Sequence, residues 1–235
     1  MKALILAAGT GSRLAPLTDQ LPKSLVPVNG MPIIFKQIEN LHENGIYDIS
    51  IVSGYRADIL QNAVKKKYAD VHFIENKDYL NTNNMYSAYI AREFFAGTPF
   101  LMMNADVFYD ASVIRALLRH SYESAIVTDI GNYLDESMKV VEEDDRLVKI
   151  SKTIPEKDAF GVSIDVYKFS TSAGKMFFDV CKAYIEEEKE LKLWSEVALN
   201  EILKKTVFQA CPLDGRWMEI DNHDDLQAAE DLFKE

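Results

Sequence analysis

The stretch LILAAGTGSRLAPLTDQLPKSLVPVNGMPI, which runs from Leu4 to Ile33, decides the fold of this 235-residue chain. It begins with a short apolar run that ends in glycine, the pattern of a buried parallel strand followed by a tight turn. The first eighteen positions hold no acidic residue, although the chain carries a formal net charge of −11. A glycine-rich turn after a buried strand lets backbone N–H groups approach a phosphate. We therefore expect this turn to bind an anion.

Beyond this stretch, strand patterns and helix patterns alternate over about 130 residues. This alternation predicts an α/β fold, a doubly wound, Rossmann-like mixed sheet with helices on both faces. The pattern then becomes less regular, and Met138–Lys152 predicts a two-stranded hairpin. We interpret 1–235 as a single domain in which a smaller lobe, built from 131–235, is laid on a regular half at 1–130.

The composition disfavours several classes of partner. The 37 acidic residues outnumber the 26 basic ones, whereas binding to a nucleic-acid backbone needs a basic face. Since no apolar run reaches membrane length, we expect no membrane partner. Cys181 and Cys211 lack metal-ligand spacing and are interpreted as buried thiols in a reducing compartment. We expect a cytoplasmic protein.

Two other phosphate-binding motifs do not fit the sequence. A dinucleotide-binding fingerprint needs glycine where Leu14 stands and an acidic residue at the end of the second strand, where Gly54 and Tyr55 are found. A P-loop needs Gly-Lys-Ser/Thr after four spacer residues, and Gly174–Met176 fails on both sides. The opening turn therefore belongs to a different class of anion site.

Two stretches point to that class: GTGSRLAPLT at 9–18 and PKSLVPVNGMPII at 22–34, with the match running from Leu6 to Pro32. They resemble the signature of the sugar-nucleotidyltransferase family, LAAG-x-G-x-R-L-x-P-L-T followed by P-K-x-L-x-P-V-x-G-x-P, and about a dozen positions match at fixed spacing. A looser resemblance extends over the whole chain. It implies an enzyme that moves a nucleotidyl group from a nucleoside triphosphate to a phosphorylated acceptor. It also implies that 1–130 binds the nucleotide and 131–235 the acceptor.

The resemblance implies a role for each residue of the opening turn. Gly9 and Gly11 would present backbone amides to the triphosphate, while Arg13 forks onto phosphate oxygens and Lys23 acts as a point charge near the α-phosphate. The alternatives are an Arg13 paired with a surface carboxylate and a Lys23 that is solvated. In full, the turn residues assigned to the nucleotide are Leu6, Ala7, Ala8, Gly9 and Gly11, with Arg13 and Lys23 as catalytic residues.

Nucleotidyl transfer brings two anions together, so the resemblance implies a divalent cation, Mg²⁺, held by one or two carboxylates. Asp106 ends the buried run PFLMMNAD, at the strand edge where ligands of open α/β folds gather. It is assigned as a catalytic and metal-binding residue. Asp221, in the segment GRWMEID, is assigned as the second metal ligand, with Glu219 as a weaker contender. Either aspartate could instead cap a helix.

The segment NTNNMYSAY, Asn81–Tyr89, lies where members of the family read the nucleobase. Its Asn-Asn-Met-Tyr-Ser pattern resembles the small phosphocholine-type cytidylyltransferases. Asparagine amides can both donate to and accept from a cytosine. We therefore expect CTP as substrate and assign Asn83, Asn84 and Ser87 to base binding. The asparagines could instead cap a helix, and Ser87 could pack against the sheet.

The acceptor residues are expected in the second half of the chain. A quaternary ammonium group favours aromatic faces and nearby carboxylates. Lys152 loosely matches the lysine that holds the acceptor phosphate in the family. The residues assigned to the acceptor are Lys152, Trp194, Glu196 and Trp217, with Asp129 and Asp165 as further acidic candidates.

The resemblance thus implies a Mg²⁺-dependent cytidylyltransferase. It would transfer CMP from CTP to a small phospho-alcohol or phospho-amine, with phosphocholine first among them, for the decoration of a cell-surface glycan. One alternative is a hexose-1-phosphate nucleotidyltransferase using UTP, dTTP or GTP, and another is an inactive regulatory homologue. The absence of a P-loop disfavours a kinase. A homodimer is left open.

Overall fold

The computed structural model describes residues 1–119 and 121–234, so His120 and Glu235, the last residue of the predicted domain, lie outside the described residues. Strands and helices alternate along most of the chain. The strands are β1 Lys2–Ala7, β2 Pro27–Val28, β3 Met31–Pro32, β4 Ile49–Ser53, β5 His72–Glu75, β6 Phe100–Asn104, β7 Val107–Tyr109, β8 Ala125–Ile130, β9 Lys139–Glu143, β10 Arg146–Ser151, β11 Gly161–Phe169, β12 Gln209–Pro212 and β13 Trp217–Glu219. The helices are α1 Ile33–Glu43, α2 Ala57–Lys67, α3 Asn84–Ile90, α4 Arg92–Phe95, α5 Ala111–Arg119, α6 Thr171–Lys182, α7 Ser195–Leu203 and α8 His223–Leu232.

A mixed sheet forms the centre of the molecule. Its strands β5, β4, β1 and β6 are parallel neighbours in that order, and β11 joins β6 in antiparallel orientation. Strands β8 and β9 both pair with β11, while β12 lies parallel to β8 and β10 pairs with β9. The sheet therefore runs without interruption from the first half of the chain into the second. This confirms the predicted Rossmann-like α/β fold.

Alternate residues of β1 explain why helices cover both faces of the sheet. Leu4 and Leu6 pack with α3, α6 and α7 on one face. Ala3 and Ile5 pack with α1, α2 and α5 on the other. Because neighbouring residues of a strand point to opposite faces, the continuous apolar run of β1 is what a strand buried on both sides requires.

A third apolar cluster attaches the C-terminal helix to the opening segment. Leu14 and Val26 pack there with Ile220 and with Ala229 of α8. The short strand β13, which precedes α8, pairs with β7 next to the central sheet. These contacts hold the last segment of the chain against the glycine-rich turn at its start.

The predicted hairpin at Met138–Lys152 is present as β9 and β10, with Asp144 and Asp145 in the left-handed conformation at its turn. The sequence pattern also predicts one helix over Asn83–Phe95, and this prediction is wrong: Ala91 separates α3 from α4, where its N–H bonds to Ala88 in a tighter turn. Along residues 1–119 and 121–234, no helix combines the length and hydropathy needed to cross a membrane.

Candidate active site

The glycine-rich turn lies at the carboxyl edge of the sheet. β1 ends at Ala7, opposite Ser53 of β4, and Leu6 lies opposite Asn104 of β6. Two residues beyond the strand ends, Gly9 follows β1 and Asp106 follows β6. Strand register alone therefore brings the turn and the first predicted metal ligand to one edge.

Gly11 allows Lys23 to approach the turn. Gly11 has a φ of +62°, in the left-handed region, and a Cβ at this position would lie 2.7 Å from Cβ of Lys23. Any other residue would therefore clash with the lysine as well as strain the backbone. The Thr18 hydroxyl donates a 2.9 Å hydrogen bond to the Gly11 carbonyl and closes the turn.

Gly54 has a similar role on the opposite side of the turn. A Cβ there would lie 2.8 Å from both Cβ and the carbonyl oxygen of Ala8. The Tyr55 amide donates to that carbonyl at 3.1 Å. A side chain at Gly9, in contrast, would meet no protein atom within 4 Å, and Gly9 lines the adjoining cleft. The turn is packed tightly on its protein side and is open toward the cleft.

Lys23 joins the two predicted metal aspartates. Its Nζ lies 2.9 Å from Oδ2 of Asp106 and 2.6 Å from Oδ1 of Asp221. Arg13 Nη2 lies 2.8 Å from the other oxygen of Asp221. The Lys23 side chain is only 13% exposed, which excludes the alternative of a solvated loop lysine. The alternative for Arg13 was pairing with a surface carboxylate. Arg13 does pair with a carboxylate, but it is that of Asp221, which belongs to the site.

Backbone contacts explain why Asp106 and Asp221 meet although they are far apart in sequence. β13 pairs with β7, and the Ile220 amide donates a 2.9 Å hydrogen bond to the Asp106 carbonyl. Asn222, rather than Asp221, caps α8, because its side chain accepts hydrogen bonds from the amides of the first turn. The Asp221 carboxylate is therefore left free to face Lys23 and Arg13.

The charges in this cluster shift one another's pKa values. Burial alone would lower the pKa of Lys23, but the carboxylates of Asp106 and Asp221 outweigh burial and raise it. Burial would raise the pKa of Asp221, but Lys23 and Arg13 outweigh it and lower that pKa. Both shifts stabilise the charged forms, so the cluster holds its ion pairs at neutral pH.

Glu219 is the third carboxylate of the cluster. Oxygens of Asp106, Glu219 and Asp221 lie within 4.8 Å of one another. Burial, with Asp106 and Asp221 nearby, raises the pKa of Glu219 to about 7. Asp106 Oδ1 is buried without a hydrogen-bond partner among the described residues. Three carboxylates that can each offer an oxygen ligand, one of which has an oxygen without a hydrogen-bond partner, fit a hard divalent cation such as Mg²⁺.

The residues predicted to read the base line a cavity of about 210 Å³ beside the turn. Their side chains already have partners: Asn83 Oδ1 accepts from the Asn84 amide at 2.8 Å, and Asn84 Oδ1 accepts from the Ser195 amide at 2.8 Å. Ser87 Oγ accepts from Asn76 at 3.1 Å. Asn83 thus caps α3, and Asn84 ties α3 to the start of α7. Their role toward a base stays a prediction. The predicted turn residues at this cavity are Leu6, Ala8 and Gly9, and Ala7 lines an adjoining recess with Lys23.

Asn76 is a member of this cavity that the motif reasoning did not single out. It is only 2% exposed, and its amide nitrogen donates to Thr82 at 2.9 Å and to Ser87 at 3.1 Å. Its Oδ1 accepts from the Asp78 amide at 3.0 Å. Asn76 therefore holds the asparagine-rich loop against α3. The available signal was its position as the last residue of the strand pattern VHFIEN, Val71–Asn76, which places it directly after β5 at the same sheet edge as Gly9.

The predicted acceptor residues fall into two places. Lys152, Trp194 and Glu196 line a cleft of about 370 Å³ together with the glycine-rich turn and the carboxylate cluster. Lys152 Nζ lies 5.5 Å from the centre of the Trp194 ring. Trp217 is not in this cleft: it lines a neighbouring cavity of about 560 Å³, and its Nε1 donates to Asp129 at 3.0 Å. Arg13, Glu219 and Asp221 line both the cleft and this neighbouring cavity.

Comparisons with known proteins agree with this geometry. A family model described as nucleotidyl transferase matches residues 2–235. Choline-phosphate cytidylyltransferase of Streptococcus pneumoniae is 33% identical, with 100% of this chain and 99% of that protein covered. CTP:phosphoglutamine cytidylyltransferase of Campylobacter jejuni is 28% identical, with 97% and 98% covered.

A solved structure shows the same likeness in three dimensions. The CTP:phosphocholine cytidylyltransferase of Streptococcus pneumoniae superposes with a TM-score of 0.84 at 27% identity, over 99% of both chains. The fold therefore matches along its whole length, including the segments that hold Asp106, Glu219 and Asp221.

Proposed function

The chain belongs to the nucleotidyl transferase family, and from that premise we propose that it is a cytidylyltransferase. It transfers CMP from CTP to a small phospho-alcohol or phospho-amine, and phosphocholine is the first candidate. Both full-length relatives named above are cytidylyltransferases, one for choline phosphate and one for phosphoglutamine. The fate of the product in glycan decoration and the cytoplasmic location stay predictions.

One observation supports the chemistry most strongly. Lys23, at the glycine-rich turn, contacts two carboxylates that come from distant segments and converge beside the cleft. An inactive homologue would have no need to preserve this convergence of one cation and two carboxylates. The arrangement therefore favours an active enzyme over a regulatory relative.

The proposed reaction is a direct displacement. An oxygen of the acceptor phosphate attacks the α-phosphorus of CTP, one P–O bond forms, and the bond to the β-phosphate oxygen breaks with its electron pair. Pyrophosphate leaves, and no covalent enzyme intermediate is needed. Backbone amides near Gly9 and Gly11 orient the triphosphate, while Lys23 and Arg13 offset the negative charge that two anions bring together.

Asp106, Asp221 and Glu219 are the residues that would hold Mg²⁺. When bound, the ion would neutralise phosphate oxygens and polarise the α-phosphoryl group. Lys23 and Arg13 pair with these carboxylates in the ligand-free arrangement. Phosphate oxygens of a bound nucleotide would offer both cations alternative partners, which leaves the carboxylates available to the ion.

A matrix of substrates tests the proposal. Pyrophosphate release is measured for each of CTP, UTP, dTTP, GTP and ATP with phosphocholine, phosphoethanolamine, phosphoglutamine, glycerol phosphate and glucose 1-phosphate. We expect the highest kcat/KM for CTP with a phospho-alcohol or phospho-amine. Turnover confined to glucose 1-phosphate would support the hexose-1-phosphate alternative, and absence of turnover in every combination would support the inactive one.

A further inference from the structure

Two buried carboxylates line the cleft in addition to the carboxylate cluster. Asp165, on β11, is 9% exposed, and Glu196, in the first turn of α7, is 4% exposed. The hydroxyl of Tyr167 lies 2.8 Å from Asp165 Oδ1 and 2.9 Å from Glu196 Oε1. Because a hydroxyl has a single hydrogen, it can be donated to only one of these oxygens at a time. The oxygen that does not receive this hydrogen depends on a serine hydroxyl, Ser163 at 3.4 Å from Asp165 Oδ1 or Ser195 at Glu196 Oε1.

The nearest contacts of the two carboxylates are uncharged groups, although Lys152 lines the same cleft beside Trp194. Asn104 donates to Asp165 at 2.9 Å, and the Ser195 hydroxyl donates to Glu196 at 3.1 Å. Glu196 Oε2 is buried without a hydrogen-bond partner among the described residues. Across residues 1–119 and 121–234, no lysine or arginine forms an ion pair with either carboxylate.

Buried carboxylates without a cation are costly, and proteins otherwise pair such groups or protonate them. Burial raises the pKa of both groups, and the Glu196 carboxylate adds to the shift at Asp165. The nearby Asn84 amide favours the ionised form of Glu196 without satisfying Oε2. A positive charge brought into the cleft would relieve this cost.

The lining of the cleft combines two kinds of group. Arg13, Lys23 and the backbone of the glycine-rich turn suit phosphate oxygens, whereas Asp165, Glu196 and the half-exposed ring of Trp194 suit a cation. A small acceptor with a phosphate at one end and a cation at the other would match both kinds of group.

We propose that Asp165 and Glu196 are the specificity-determining residues that bind the positively charged nitrogen of the acceptor. This inference rests on the proposed function, since it takes the phosphate-bearing end of the acceptor to lie toward Lys23. The chemistry that the pair recognises is a fixed positive charge, whether a quaternary or a primary ammonium group.

The neighbouring cavity at Trp217 is the competing location. Its Asp129 carboxylate already accepts hydrogen bonds from Trp217 Nε1 at 3.0 Å and Asn132 at 2.9 Å. Asp129 is also only half-buried, so water screens its charge more than that of Glu196. The deeper pair with the unsatisfied oxygen is therefore the stronger cation site.

The test compares acceptors of equal shape and different charge. Pyrophosphate release from CTP is measured with phosphocholine, phosphoethanolamine and 3,3-dimethylbutyl phosphate, the neutral carbon isostere of phosphocholine. For the wild-type chain we expect kcat/KM for phosphocholine to exceed that for the isostere by about 30-fold. The phosphoethanolamine arm shows whether the pair prefers a quaternary or a primary ammonium group.

Two substitutions then locate the recognition of charge. Glu196→Gln keeps the shape of the side chain and the contacts of Oε1. Asp165→Asn introduces asparagine, which tolerates the left-handed backbone at this position, where φ is 57°. We expect each to reduce the preference for phosphocholine to less than about threefold. The controls are Tyr167→Phe, which keeps both carboxylates, and Asp129→Asn in the neighbouring cavity. Both are expected to retain the preference.

The outcomes separate the subsite from the function. If wild type releases no pyrophosphate from CTP with any of these acceptors, the proposed function fails and the subsite with it. If wild type turns over the isostere as well as phosphocholine, only the subsite is wrong. It is wrong as well if Glu196→Gln and Asp165→Asn slow all acceptors equally, since that indicates a structural network, or if Asp129→Asn alone removes the preference.

Discussion

The two sides of the cleft differ in how they are built. The phosphate side comes largely from one continuous segment. In it Gly11 lies against Lys23, and Arg13 follows two residues after Gly11. The acceptor side is assembled from separate segments: Lys152 directly after β10, Asp165 on β11, and Trp194 with Glu196 at the start of α7. On the first side cations meet carboxylates in direct ion pairs, whereas Asp165 and Glu196 on the second have no ion-pair partner in the part of the chain that the structure describes.

This difference suggests a division of labour. Under the proposed function, the phosphate side would perform the step common to the family, so its residues would have to meet in one arrangement. The acceptor side would select a particular molecule, so its residues could vary while the fold remains. Substitutions on the first side should reduce turnover for every acceptor, and substitutions on the second should change the affinity for some acceptors.

The largest effect is expected for Lys23→Ala. Loss of the Lys23 cation removes a charge proposed to face the phosphates and leaves Arg13 as the partner of Asp221 alone, so kcat should fall by about 10²–10³-fold. Lys67→Ala is the matched control, because Lys67 forms an ion pair of 2.6 Å with Glu39 away from the cleft. Steady-state kinetics with CTP and phosphocholine measure both. If Lys23→Ala turned over as fast as Lys67→Ala, Lys23 would have no role in the reaction, and the phosphate side would not differ from the acceptor side in the way described.

A pH effect is expected from Glu219. Its folded-state pKa of about 7 lies above the ordinary value of 4.5, so the folded state binds this proton more tightly than the unfolded state. Stability should therefore fall as pH rises from 4.5 toward 7, and between pH 5 and pH 7.5 wild type should lose about 2 kcal/mol more than Glu219→Gln. Urea unfolding with EDTA measures this difference.

The same experiment with Mg²⁺ sharpens the result. At pH 7.5 the ion should stabilise wild type more than Glu219→Gln, because it would bind the folded state through the ionised carboxylate. Parallel pH profiles for the two chains, with or without Mg²⁺, would mean that Glu219 lies outside the carboxylate cluster in solution.

On the acceptor side, Lys152→Ala should raise KM for phosphocholine about tenfold and leave KM for CTP nearly unchanged. The reason is that Lys152 lines the cleft beside Trp194, where its charge can meet the acceptor phosphate. Lys149→Ala, on the exposed face of β10, is the control. A rise in KM for CTP instead of phosphocholine would assign Lys152 to the nucleotide.

The smallest effect is expected for Trp217→Phe. The ring lies outside the cleft, and the substitution removes one hydrogen bond to Asp129, which should reduce the free energy of unfolding by about 1 kcal/mol. Both KM values should stay within about twofold of wild type. If KM for phosphocholine rose tenfold, the acceptor subsite would have to lie in the Trp217 cavity.

The position of the glycine-rich turn beside Asp106 could be predicted because local spacing determines it, while the role of the turn toward phosphate stays a prediction. The apolar run before Gly9 could only be a strand buried on both faces, and strand register then places Asp106 at the same edge. The importance of Asn76 was harder to foresee, since it depends on hydrogen bonds to Thr82 and Ser87 across a loop.

The acceptor side could be predicted only as a set of residue types. Trp194 and Trp217 are the same type of residue, and only the tertiary structure shows that the first lines the cleft and the second the neighbouring cavity. The asparagines at 83 and 84 illustrate the same limit. Their side chains cap α3 and tie it to α7, a role that depends on how the two helices pack.

Binding of a paramagnetic ion tests the central claim most directly. Mn²⁺, which replaces Mg²⁺ at oxygen sites, is titrated into the full chain with CTP, and free Mn²⁺ is followed by its electron paramagnetic resonance signal. We predict that Asp106→Asn and Asp221→Asn each weaken Mn²⁺ binding by at least about tenfold, while Asp110→Asn, whose carboxylate pairs with Arg216, binds like wild type. Wild-type affinity in both of the first two variants would contradict a shared metal site between these aspartates.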